Sequence, residues 1–285
     1  MKLKKNVIII ISLIIIVFLI LFMVRKGPKI VVFDLDETLG HFSQLGLFWD
    51  GLESILNIKL TDDDMITLLD TYPEYVRPNI IPILKYLKLQ KQKGLCDKVM
   101  IYTNNQGPKT WANSIKKYFE SKINYKLFDK TIGAFKVGSK RIEILRTTHD
   151  KTVNDFFKCT KLPKDSQICF LDDQYHPEMI GDNVYYIHLK PYKYTLFIDE
   201  ILERFFKCSL KKHVKDDNQF RNSITKYMGN YTVTYKSDEE HEVDKIISKK
   251  IIEHLQNFFS NNKHNKTIKK RESNIMQKHE SNLVQ

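Results

Sequence analysis

Cysteine is scarce in this 285-residue chain, and its four occurrences form no pattern. Cys96, Cys159, Cys169 and Cys208 show neither close pairing nor metal-ligand spacing. That argues against a disulfide scaffold and a thiolate metal module, and reduced thiols suit a cytoplasmic domain. Glycine is sparse too, at 10 residues, while Ile, Lys and Asn are heavily used, a bias that fits an AT-rich genome rather than a function. There are no internal repeats, which removes solenoid and propeller architectures. Acidic residues are outnumbered 34 to 46 by Lys and Arg, giving a net charge of +12. Such a balance favours acidic phosphoproteins, nucleic acid or anionic lipid as partners without choosing among them. What is present is enough apolar material, 42% of residues, for a real core in one large domain or two small ones.

The longest apolar stretch lies outside that core. Residues 7–24 are apolar except for Ser12, with Lys2, Lys4 and Lys5 before and Arg25 and Lys26 after. As a helix the run reaches about 27 Å, close to the ~30 Å hydrocarbon core of a bilayer. No small-x-small cleavage site follows it, so a retained single-pass anchor over 1–28 is expected in place of a cleaved signal. Basic residues are nearly balanced on the two sides and give no orientation. The cysteines favour a cytoplasmic catalytic domain.

The stretch that organises the rest is Lys29-Ile30-Val31-Val32-Phe33-Asp34-Leu35-Asp36-Glu37-Thr38-Leu39. A β-branched run ending in two carboxylates at i and i+2 reads as a buried parallel strand with acids past its carboxyl end. Open α/β sheets bind ligands there. Paired acids so close call for a hard cation, and Mg²⁺ prefers carboxylates together with phosphate oxygens. Asp34 lies ten residues past the apolar run, which places the expected site close to a lipid surface. Further apolar strands are predicted at Lys98–Thr103, Gln167–Leu171 and Val184–Leu189, with helices over about 80–93, after Pro108, from about Lys151, and over 198–208. Residues 123–145 are shorter and irregular, a hairpin with turns at Gly133 and Gly138. Residues 209–285 are expected to be a polar basic tail holding one amphipathic helix near 243–259. Strand-end signals therefore stand in order at Asp34 and Asp36, Thr103-Asn104, Lys151, and Asp172-Asp173.

This arrangement resembles the haloacid dehalogenase superfamily of phosphatases. FDLDETL at 33–39, Tyr75-Val76-Arg77-Pro78 and Leu171-Asp172-Asp173 resemble the phosphatases that act on the RNA polymerase II C-terminal domain and the NLI-interacting-factor-like small phosphatases. The resemblance spans about 29–206. It implies a Rossmann-like parallel sheet flanked by helices, with a small insertion after the first strand; the one transmembrane helix expected before it lies outside the resemblance. It further implies a phosphatase domain over 29–208 acting on phosphorylated Ser/Thr of a protein through an aspartyl-phosphate. Asp34 would be the nucleophile and Asp36 the acid/base. Thr103, Asn104 and Lys151 would hold the phosphoryl group, with Lys140, Arg141 and Arg146 as competitors for the Lys151 role. Mg²⁺ would lie among Asp34, Asp36 (through its carbonyl), Asp172 and Asp173. Two departures bear on substrate. Thr103-Asn104-Asn105-Gln106 is similar to the Thr-Asn-Gln of polynucleotide 3′-phosphatases and histidinol-phosphate phosphatases, and Asp172-Asp173 lacks a following Ser-Pro. A polynucleotide 3′-phosphatase and a catalytically silent membrane-attached binding module are the alternatives, and Glu37 stands where the former usually carry Gly.

Overall fold

The computed structural model describes residues 27–260. Five short strands, β1 (Lys29–Phe33), β2 (Lys98–Tyr102), β3 (Phe128–Ile132), β6 (Gln167–Asp172) and β7 (Val184–His188), form one parallel sheet in the order β3-β2-β1-β6-β7. The chain builds outward from β1 first to one side and then to the other, so β1 sits where the strand order reverses. Ile30, Val31, Val32 and Phe33 are all fully buried, as strands covered on both faces require. Alternation splits them: Val31 and Phe33 face the larger core, while Ile30 and Val32 face a smaller one with Met100, Tyr102 and Phe156.

Helices α1 (Ser43–Leu56), α2 (Asp62–Thr71) and α3 (Ile80–Gln92) fill the long connection from β1 to β2, and α4 (Lys109–Ile123) leads on to β3. Thr61 caps α2 by a reciprocal box with Asp64, the expected N-cap with acids in the first turn. Gly94, just past α3, takes φ 67°, the left-handed conformation that glycine tolerates. The hairpin β4 (Lys136–Val137) and β5 (Lys140–Arg141) turns at Gly138, φ 56°. Helix α5 (Val153–Thr160) is capped by Thr152 and precedes β6.

Three features depart from the sequence reading. Residues 128–132, expected in an irregular hairpin region, form the edge strand β3. Its inner residues are exposed or half-buried, so it carries no continuous apolar run. Residues 209–259, expected as a tail, pack onto the main core. A short 3₁₀ turn over 209–213 and helices α7 (Asp217–Met228) and α8 (Asp238–Phe259) follow α6 (Ile198–Phe205). Leu210, Phe220, Ile224, Met228, Ile251, Leu255 and Phe259 are buried in the same cluster as Val31 and Phe33. The predicted amphipathic helix is α8, and its end meets the sheet: Lys29 Nζ donates to the carbonyls of Phe258 (2.8 Å) and Phe259 (3.1 Å).

Third, the chain enters β1 at the edge opposite Asp34. Five strand residues, about 16 Å, separate the two, so residue 27 does not lie beside the acids. Among the described residues no helix is long and apolar enough to cross a membrane. The apolar run at 7–24, and the basic residues from Lys263 to Arg271, lie outside them.

Candidate active site

The carboxyl ends of β1, β2 and β6 bring the strand-end residues together. Asp34 directly follows β1, and its N–H donates to Leu171 O at 2.9 Å, which carries the β1–β6 ladder into the loop. Thr103 follows β2, anchored by its N–H to Ile132 O at 3.0 Å. Asp172 ends β6 and Asp173 follows it. Lys151 precedes the α5 cap and is 2% exposed. Its ammonium donates to Asp34 Oδ1 and to Asp172 Oδ2, the latter at 2.6 Å. Oxygens of Asp34, Asp172 and Asp173 lie within 4.8 Å of one another.

The acids are held differently. Asp172 is fully buried and accepts a further bond from Gln174 N at 2.8 Å. Asp173 accepts from Thr38 Oγ1 (3.1 Å) and Gln174 Nε2 (2.8 Å). Asp36 accepts from Asn105 Nδ2 at 2.7 Å. Burial drives the Asp34 carboxyl well above the usual carboxylate range; Lys151 opposes this, and the neighbouring Asp172 and Asp36 add to it. Burial also raises Asp36, against the Asn105 bond and the Lys151 charge. Lys151 itself is raised: burial disfavours its charge, but Asp34 and Asp172 outweigh that cost. Three acids with one internal cation carry excess negative charge, which a divalent cation would offset.

Asp34, Asp36, Thr103 and Asp173 line an open cleft of about 170 Å³, shared with Glu37, Asn104, Asn105, Lys151, Gln174 and His176. Thr103 Oγ1 accepts from Asn105 N at 3.0 Å and keeps its own proton available to a ligand. Asn104 is exposed at the rim, and its side-chain oxygen is taken by Arg146 Nη2 at 2.8 Å. The competitors for the cationic role lie elsewhere. Lys140 and Arg141 are exposed on the hairpin. Arg146 is fully buried and spends its guanidinium on the carbonyls of Gly133 (2.8 Å), His149 (2.8 Å) and Thr103 (3.2 Å).

Sequence reasoning missed the residues that shape the loop. Arg77 is buried, and donates from Nε to Thr38 O at 2.6 Å and from Nη2 to Glu37 O (2.5 Å) and Lys190 O (2.9 Å). It thereby clamps the turn after β1 to the loop after β7. In the sequence Arg77 stands only as part of the Tyr75-Val76-Arg77-Pro78 motif, because its partners are main-chain carbonyls that no sequence displays. Glu37 lies at φ 55°, in the left-handed region that glycine adopts without strain. Asn105 reaches Asp36, and buried His176 sits with Nε2 3.6 Å from Asp172 Oδ2; only its place four residues after Asp172 hinted at the latter. Burial lowers the His176 pKa and favours a neutral ring.

Comparison with protein-family models, with curated proteins and with solved structures finds no match to this chain.

Proposed function

We propose that the chain is a Mg²⁺-dependent phosphatase working through an aspartyl-phosphate, and that its substrate is a phosphorylated serine or threonine of a protein. The observation that carries this reading is the Asp34 carboxylate, bound on one oxygen by a buried lysine and exposed to a cleft that also holds a second acid and a threonine hydroxyl. Lys151 donates to Oδ1 and leaves Oδ2 for in-line attack on phosphorus. Asp36, pushed up by burial, suits a proton donor to the leaving oxygen, and afterwards a base toward water. Thr103 Oγ1 and Lys151 then bind and neutralise phosphoryl oxygens.

The donor set is all oxygen, the ligand type a hard divalent ion takes, and oxygens of Asp34, Asp172 and Asp173 lie within 4.8 Å of one another. Asp34, Asp172, Asp173 and the Asp36 carbonyl would hold it. Bound Mg²⁺ supplies positive charge to the phosphoryl oxygens. The apolar run at 7–24 supports attachment of the chain to a bilayer.

The Thr103–Gln106 stretch, whose Asn105 touches Asp36, favours a second reading, a polynucleotide 3′-phosphatase. One experiment addresses both. The native chain in Mg²⁺ is given phosphoserine peptides and 3′-phosphorylated DNA in parallel, with Asp34→Asn as control. Turnover of peptides, lost by at least ~10⁴-fold in the variant as for removal of a covalent nucleophile, is expected. Preference for DNA selects the second reading, and normal turnover by Asp34→Asn refutes both.

A further inference from the structure

A second, larger cleft of about 360 Å³ adjoins the first, and Glu37 lines both. Its walls come from the loop after β7 (190–195), the segment between α7 and α8 (231–236) and the first turns of α8. The second and third walls belong to the part of the chain beyond the phosphatase resemblance. The walls are bonded to each other and so preformed. Thr195 Oγ1 donates to Thr234 O and accepts from Thr234 N, both at 2.9 Å. Lys236 Nζ donates to Lys193 O at 2.7 Å, and Tyr231 OH pairs with Ser43 Oγ at 2.7 Å.

The charges in this cleft are sorted. Lys190 and Lys193 are exposed and form no ion pair among the described residues. Lys236 is committed to Asp244, whose side chain is buried. Glu37 and Glu240 stand in the same lining. Tyr194 and Tyr231 are half-buried, and Tyr235 is 78% exposed, so flat apolar surface is also on offer. A nucleic acid carries negative charge at every phosphate and would meet Glu37 and Glu240 as well as the lysines. A polypeptide carries charge only at chosen side chains, and can set an acid against the lysines while its backbone and apolar groups lie on the tyrosines.

We propose that this second cleft is a substrate subsite that takes the polypeptide flanking the phosphorylated residue and selects acidic side chains there through Lys190 and Lys193. The proposal rests on the phosphatase reading above. It is tested with the native chain in detergent with Mg²⁺, on four substrates: p-nitrophenyl phosphate, a phosphoserine peptide flanked by glutamates, the same peptide flanked by lysines, and a 3′-phosphorylated oligonucleotide. The native chain is expected to prefer the glutamate peptide by roughly tenfold in kcat/KM, carried mainly by KM. Lys190→Glu/Lys193→Glu should invert that preference, and Lys190→Ala/Lys193→Ala, which adds no repulsion, should erase it. If p-nitrophenyl phosphate is hydrolysed but the peptide preference is absent, or survives both double variants, the subsite is wrong and the phosphatase stands. If no phosphoester is hydrolysed, both fail. If the double variants instead remove a preference for 3′-phosphorylated oligonucleotides, the occupant is nucleic acid and the peptide subsite is overturned.

Discussion

Lys151 keeps a positive charge with 2% of its surface exposed, which is tolerable only because Asp34 and Asp172 face it. Removing one partner of such a buried group leaves the others uncompensated, at a cost of roughly 3–5 kcal/mol. Lys151→Met is therefore expected to lower stability to urea by that amount at neutral pH and to abolish turnover. The sign with pH follows. Burial already raises the folded Asp34 pKa and loss of Lys151 raises it further, so the deficit should shrink as acid protonates Asp34. A deficit that is absent, or that widens in acid, refutes the pairing. At this scale much was legible. Asp34, Asp36, Thr103, Lys151, Asp172 and Asp173 all stand at ends of apolar runs or just before a helix, positions that a sequence displays. Arg77 was not legible, because its partners are main-chain carbonyls of other loops, and His176 was not, because its approach to Asp172 depends on the turn after β6.

The turn that delivers Lys151 is tied down by an element cap. Asp155 accepts from Thr147 N at 2.6 Å and Thr147 Oγ1 at 3.0 Å, while its own N–H donates to Thr152 Oγ1 at 3.0 Å. Burial opposes the Asp155 charge, but the bonds from Thr147 and the charge of Lys158 prevail and hold its pKa below the usual value. A depressed carboxyl stabilises above its unfolded pKa, and loses that contribution as pH falls through the folded one. Asp155→Asn is expected to cost about 1–3 kcal/mol at pH 7, with the difference from the native chain shrinking as acid protonates Asp155; equal stabilities at pH 7 would contradict it. The C-terminal helices are a second element-scale case. Phe220, Ile224 and Met228 recur every four residues in an otherwise polar α7, a stripe too narrow to stand out in sequence, yet all three are buried. Cutting the chain after residue 208 should therefore expose core and produce aggregation or loss of the cooperative melt. A truncated chain with an unchanged melting temperature would show that 209–259 is indeed a tail.

At the scale of the whole molecule, the sheet has two working edges. The amino edge holds residue 27 and, through Lys29, the end of α8; the carboxyl edge holds the acids. The α/β class and the central place of β1 were legible because buried parallel strands are continuous apolar runs. The direction of the site relative to the chain's entry follows from strand polarity, which a count of residues along the chain overlooks. Removal of residues 1–26 is accordingly expected to release the chain from membranes in sedimentation with vesicles while leaving kcat/KM on p-nitrophenyl phosphate unaltered. A loss of turnover on removal would tie the apolar run to the site.

The central claim is the covalent role of Asp34, and chemical trapping tests it most directly. The native chain turning over a phosphoester in Mg²⁺ is quenched in acid and treated with borohydride, which reduces an acyl phosphate of aspartate to homoserine, and the position is found by peptide mass mapping. Homoserine at position 34, absent without substrate, is the expected result. Turnover with no homoserine, or with homoserine at another position, would contradict the account.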